Sequence, residues 1–156
     1  MKIVVSTKAF LRGLKIVGPI ARVMTTLPVT NCVLVKASHS TVTLTANNLE
    51  ISESVEIPCW VVEAGRCAVP ARLITGVIEG AASERFEVSR PETRAKIVKL
   101  KAPGFEANLE GYDVANFPPT PDVAGVAINV QLAPLQKAIS KVIFAVAGDE
   151  SRPVLT

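Results

Sequence analysis

Histidine is almost missing from this sequence. His39 stands alone, in the polar stretch Ser38-His39-Ser40, so no imidazole is available to head a nucleophile triad. No glycine-rich loop of the kind that cradles phosphates is present, and no dinucleotide-binding fingerprint. Three cysteines, Cys32, Cys59 and Cys67, lack the paired spacing of a metal site and read as reduced, packed thiols in a cytoplasmic protein. Trp60 and Tyr112 are single examples of their type and phenylalanine occurs five times, too few for a base-stacking platform. No apolar run is long enough for a membrane helix, and the N-terminus shows no signal-peptide pattern. These absences speak against an enzyme, a metal or cofactor site, a membrane protein and a single-strand reader.

Acid is also missing where it would be expected. The first acidic residue is Glu50, and residues 1–49 carry Lys2, Lys8, Arg12, Lys15, Arg22 and Lys36 with nothing opposing them. The whole chain is only +3, so the remainder is net negative, with Glu50, Glu53, Glu56, Glu63, Glu84 and Glu87 mainly in strand-like sequence. Asymmetry of this kind bears on partners rather than on fold. With 49% hydrophobic residues a full core is available, and 156 residues allow one domain or slightly more.

What is present begins with Ile3–Pro28. A short strand (Ile3, Val4, Val5) leads into a helix near 7–17. At 100° per residue Phe10, Leu14 and Val17 fall on one side, and Lys8, Arg12 and Lys15 on the other. Surface helices ordinarily mix charge signs. A one-signed face without base-reading residues suits sequence-blind contact with duplex phosphates. A basic face that is merely solvated is the plainer alternative for three charges alone.

The pattern returns 125 residues later. Ile128, Val130, Leu135, Lys137, Ile139, Val142 and Pro153 repeat Ile3, Val5, Phe10, Arg12, Leu14, Val17 and Pro28, with Lys141 also on the polar side. A period this long indicates a duplicated domain. The boundaries expected are 1–125 for the first domain and 126–156 for the start of a second, with proline-containing Gly111–Gly125 as linker.

Between these copies the chain reads as β. Strands are expected at Val29–Lys36, Thr41–Ala46 and Leu49–Ile57, the last placing Leu49, Ile51, Val55 and Ile57 on one face. A short strand Cys67–Val69 precedes a helix Pro70–Glu79, with Pro70 as its first residue, Arg72 on its polar side and Gly80 after it. Strands at Arg85–Ser89, Ala95–Lys101 and Phe105–Glu110 follow. The order is strand, helix, three strands, twice over. At an offset of 63, Phe10, Leu11, Gly13 and Leu14 fall on Leu73, Ile74, Gly76 and Val77. An α+β fold is expected, two helices side by side against antiparallel sheets.

Several short elements together resemble the bacterial DNA polymerase III beta subunit, the replicative sliding clamp. They are Met1-Lys2 opening a strand, Thr26-Leu27-Pro28-Val29, Leu44 to Leu49-Glu50 around Asn47-Asn48, and Val69-Pro70-Ala71-Arg72. Ala115-Asn116-Phe117-Pro118, Phe144-Ala145 and Asp149-Glu150-Ser151-Arg152-Pro153-Val154-Leu155 complete the set. The resemblance implies the DNA clamp (processivity-factor) fold and a chain that is an N-terminal fragment. It further implies three similar domains per full subunit and a head-to-tail homodimer ring whose helices line a hole for duplex DNA. Partners implied are duplex DNA, a second clamp subunit, the polymerase III alpha subunit and the clamp loader; no cofactor, metal or catalytic residue is implied. The candidate DNA-binding residues are Lys8, Arg12, Lys15, Arg22, Arg72, Lys137, Lys141 and Arg152. Arg72 matches the arginine of the Val-Pro-Ala-Arg element. Met24 stands where an arginine before Thr-Leu-Pro is usual, and Arg22 lies two residues earlier. A β-rich adaptor that meets an acidic protein instead of DNA, and an enzyme whose active site lies outside residues 1–156, are the rival readings.

Overall fold

A computed structural model describes residues 1–22, 27–91, 96–120 and 125–146, with Arg22 described through its main chain. The chain divides into two units, Met1–Thr120 and Pro121–Thr156.

The first unit opens with β1 (Lys2–Ser6) and α1 (Thr7–Val17). Ser6 caps the helix, its hydroxyl accepting from the Ala9 N–H at 3.5 Å, and the Gly18 N–H closes it onto the Leu14 carbonyl at 2.8 Å. Phe10, Leu14 and Val17 are buried, as their spacing predicts. Phe10 meets Phe86 edge to face at 5.3 Å between ring centres, a geometry that adds about 0.5–1.5 kcal/mol to simple burial. The helix start is also tied to the segment after the second helix. Thr7 donates through its N–H to the Glu84 carbonyl (2.9 Å) and through its hydroxyl to the Ser83 carbonyl (2.5 Å).

Next come β2 (Cys32–Ser38), β3 (Thr41–Asn47), β4 (Ser52–Pro58), β5 (Trp60–Glu63) and β6 (Gly65–Pro70), then α2 (Ala71–Glu79), β7 (Arg85–Ser89), β8 (Ile97–Ala102) and β9 (Phe105–Glu110). One sheet has the order β4-β3-β2-β6 and the other β5-β1-β7-β8-β9, with every pairing antiparallel. The element sequence β1-α1-β2-β3-β4 therefore repeats as β6-α2-β7-β8-β9, and the two halves exchange their first strands. β1 pairs with β7, whereas β6 pairs with β2. The helices lie against each other, and the main apolar core forms between them and the inner faces of both sheets.

The structure departs from the sequence pattern at several points. Helix α2 begins at Ala71; Pro70 is still extended (φ −56°, ψ 124°) because it remains paired with Cys32 across the β6–β2 ladder. The expected strand from Val29 opens instead as a 3-10 turn, Pro28–Asn31. The expected strand from Leu49 does not start until Ser52, because two asparagines capture the preceding backbone. Asn47 Oδ1 accepts the Leu49 N–H at 2.8 Å, and Asn48 Oδ1 accepts those of Glu50 and Ile51 at 3.1 and 2.7 Å. Leu49 is held at φ 81°, and both Leu49 and Ile51 are exposed rather than on the core face. Strand β5 lies in a stretch whose sequence shows no alternation. Residues 111–120, expected as linker, pack into the first unit: Val114 and Phe117 join Val29, Cys32 and Ala68 in a second apolar cluster, and Asn47 donates to the Pro119 carbonyl at 3.2 Å.

In the second unit α3 (Leu132–Val142) forms where the repeat places a helix, followed by a 3-10 turn, Ile143–Ala145. The expected strand around Ile128 and Val130 does not form, since a strand needs a hydrogen-bonded neighbour and this stretch pairs with none among the described residues. Leu135, Ile139 and Val142 on α3 are exposed.

Candidate nucleic-acid interface

The helix that buries Phe10, Leu14 and Val17 presents Lys8, Arg12 and Lys15 to solvent along one stripe. Gly13 lets this helix sit close to the sheet. A Cβ there would lie 2.6 Å from Ile57 Cδ1, 3.0 Å from Leu44 Cδ1 and 3.1 Å from Val55 Cγ1. Lys8 and Arg12, with Ala9, Gly13 and Ile16, form one wall of a groove of about 460 Å3 whose other wall is Val55–Pro58 of β4. Glu56 on that wall is the carboxylate facing the stripe, but it makes no ion pair with it. The ion pairs among the described residues are Met1 ammonium to Glu63 at 2.5 Å and Lys2 to Glu87 at 3.0 Å. Among the described residues, then, no carboxylate lies within 4 Å of Lys8, Arg12, Lys15 or Arg72.

Arg72 is exposed on α2, next to α1. The helices begin at Thr7 and Ala71, so the structural repeat is 64 residues. At that offset buried positions match: Ile3 with Cys67, Val5 with Val69, Phe10 with Ile74, Leu14 with Ile78. The offset of 63 instead sets buried Phe10 against exposed Leu73. The true repeat puts Arg72 where Lys8 stands, Gly76 where Arg12 stands and Glu79 where Lys15 stands. One helix thus carries three cations and its counterpart a cation, a bare backbone and an anion.

Of the remaining candidates, the main chain of Arg22 closes a 3-10 turn, Ile20–Arg22, shortly after α1. Lys137 and Lys141 are exposed on α3, in the second unit. Arg152 and Met24 lie outside the described residues. The structure therefore groups Lys8, Arg12 and Lys15 on one helix and sets Arg72 on the adjoining one. Gly13, which positions the stripe, enters the sequence reading only through the offset of 63 and not as a residue of the site; a glycine among good helix formers is the signal that could have found it.

Burial pushes the Cys32 and Cys67 thiols up to about 12 and raises that of Cys59, the reverse of an activated nucleophile. Among the described residues no three His, Cys, Asp or Glu side chains gather as a metal site, and no helix is long and apolar enough to cross a membrane. What the face offers is exposed positive charge on a packed helix, without the paired donors and acceptors that read base edges.

The family model described as DNA polymerase III beta subunit, N-terminal domain, matches residues 1–121. The beta sliding clamp of Staphylococcus epidermidis is 30% identical over 141 residues, which span 85% of this chain and 37% of that protein. Among solved structures, the DNA polymerase beta subunit of Streptococcus pyogenes superposes with a TM-score of 0.91 at 23% identity, over 100% of this chain and 42% of that one. The Caulobacter crescentus pol III beta does so with a TM-score of 0.91 at 20% identity, over 99% and 42%. The chain thus spans about two fifths of the length of these relatives.

Proposed function

This chain belongs to the DNA polymerase III beta subunit family, and from that membership we propose that it acts as the N-terminal part of a DNA sliding clamp. Residues 1–125 serve as the first clamp domain and 126–156 begin the second. In the complete protein two subunits close head to tail around duplex DNA in the cytoplasm, and the ring tethers the polymerase III alpha subunit after a clamp loader has placed it. The role is non-catalytic. Processivity is topological: each phosphate contact is weak and indifferent to sequence, so the ring slides, yet it cannot leave sideways.

The observation that carries the DNA-facing reading is the unanswered stripe Lys8-Arg12-Lys15, with Arg72 on the neighbouring helix. Arg22, Lys137, Lys141 and Arg152 are further proposed contacts. Neutralising a phosphate releases condensed counterions, so the test is salt dependence. Fluorescence anisotropy of the full chain with a random-sequence duplex should give a dissociation constant at the weak end of, or beyond, about 10⁻⁴–10⁻⁶ M. If about three or four phosphates are neutralised, log K falls against log salt with a slope of roughly −3 to −4. Arg12→Ala or Lys15→Ala flattens that slope by about 0.9 and affects all sequences equally. Binding that ignores salt, or strongly prefers one sequence, would refute the reading and favour an adaptor for an acidic protein.

A further inference from the structure

Gly76 sits in the interior of α2, exposed, at the counterpart of Arg12 in the repeat. A glycine there disfavours the helix by about 1 kcal/mol relative to alanine. Two structural reasons commonly account for a helical glycine, and neither applies. Its backbone is helical, outside the left-handed region, so any residue could adopt it. A Cβ built on it meets nothing within 4 Å among the described residues, so none of their packing forbids a side chain. Gly13 shows the contrast: its Cβ would collide with the sheet.

Among the described residues, then, nothing calls for the glycine, which leaves a demand from a bound partner. On the helical wheel Gly76 lies within about 60° of both Arg72 and Glu79, and Arg72 is one turn nearer the helix start. We infer that Gly76 and Arg72 form a notch on α2 in which a DNA phosphate approaches the helix backbone while the guanidinium holds it from above. This rests on the DNA-binding reading above and adds to it a residue that carries no charge. On α1 long cations reach out to phosphates. On α2 the missing side chain lets the sugar–phosphate backbone come in, and a lone arginine suffices. Glu79, at the far end of the face, confines the favourable potential to the Arg72 end.

The test compares Gly76→Ala, Gly76→Leu, Arg72→Ala, Arg12→Ala and the double variant Gly76→Leu/Arg72→Ala in the full chain. Each is measured by salt-dependent anisotropy on a random-sequence duplex, thermal melting and sedimentation. Alanine and leucine are both good helix formers, so both glycine variants melt higher than the parent. If the notch takes a phosphate, Gly76→Leu nevertheless flattens the salt slope by about 0.9, as Arg72→Ala does. The double variant loses no more than either single one, because both remove the same contact. An unchanged slope in Gly76→Leu, with Arg12→Ala flattening it as expected, overturns the notch and leaves the DNA reading standing. If neither arginine variant changes the slope, the DNA reading falls and the notch with it. A Gly76→Leu variant that alters sedimentation but not DNA binding would assign the bare patch to a protein neighbour and also overturn the inference.

Discussion

Gly13→Ala should destabilise the first unit even though it replaces glycine by the best helix former. Two terms of opposite sign compete. The helix gains about 1 kcal/mol from the substitution itself. Against this, the new methyl group would stand 2.6 Å from Ile57 Cδ1, 3.0 Å from Leu44 Cδ1 and 3.1 Å from Val55 Cγ1, where carbon atoms prefer about 3.5–4.0 Å. Ile57 Cδ1 is the tip of a side chain that borders the groove and can turn aside. Leu44 is fully buried and has nowhere to go. Insertion of a methyl group into such a site costs about 1–3 kcal/mol. The net expected loss lies between about 0 and 2 kcal/mol, a modest number by itself. Gly76→Ala makes it measurable, because it supplies the helix term in the same fold with no contact to make among the described residues. The two variants should therefore differ by about 1–3 kcal/mol, or several degrees in melting temperature for a unit of this size. Far-UV circular dichroism is the suitable probe, since the single tryptophan, Trp60, is 74% exposed and its fluorescence would respond weakly to unfolding. A Gly13→Ala protein as stable as Gly76→Ala would refute the close approach of α1 to β4, and with it the placement of Lys8 and Arg12 along the groove.

Acid sensitivity should trace in part to Glu63. The hydrogen bond from the Met1 ammonium, then that group's charge, holds the carboxyl below its ordinary value of 4.5, with smaller help from Arg90 and Lys2 against a desolvation cost. A folded pKa below the unfolded one contributes stability that is present above about pH 4.5 and lost as pH falls through the lowered value, so the difference in melting temperature between parent and Glu63→Gln should shrink toward zero in acid. A difference that stays constant from neutral pH into acid would remove Glu63 from the account. Thiol labelling near pH 8 should modify Cys59 slowly in the folded protein and leave Cys32 and Cys67 untouched, their thiols standing near 12, until denaturant exposes all three. Fast labelling of Cys67 without denaturant would mean that the β6–β2 ladder opens locally.

Local signals in the sequence were readable and non-local ones were not. Helix α1 and strands β7 and β9 fall where periodicity puts them, because one buried face stamps its period on each. Strand β5 was missed because its outward residues, Trp60 and Val62, are as apolar as half-buried Val61, so no alternation marks it. Leu49 and Ile51 misled in the opposite way. Their spacing suits a strand, but the asparagine side chains offer the backbone other partners, and hydrophobicity gives no hint of that competition. The exchange of β1 and β6 between sheets depends on partners far apart in the chain, which no local window contains. The basic stripe was legible because a helix fixes which of its own residues share a face. The groove beside it, Gly13's contact with Ile57 and the repeat of 64 rather than 63 all depend on how α1 and α2 dock on the rest.

The exchange of strands is what makes the stripe rigid. Helix α1 leaves from β1, which lies inside the five-stranded sheet, and then packs across β3 and β4 of the other sheet. Its start is hydrogen-bonded to Ser83 and Glu84, contributed by the second half of the repeat. Rotating α1 would therefore disturb both sheets and the helix beside it, not one loop. The charges it carries are on long side chains without ion-pair partners among the described residues, so no ion pair fixes their tips, while the helix that bears them is packed on both sheets. For the proposed role this division matters. Helix order that already exists in the free protein adds nothing to the ordering cost of binding. Lysine and arginine tips that are not locked in place can follow phosphates as they pass, where a preorganised fork would favour one register and act as a brake. The unequal faces of the two helices fit the same logic. With Glu79 standing where the repeat has Lys15, the positive charge of this unit is concentrated on α1 and at the Arg72 end of α2, so the far end of α2 adds no attraction for the proposed duplex.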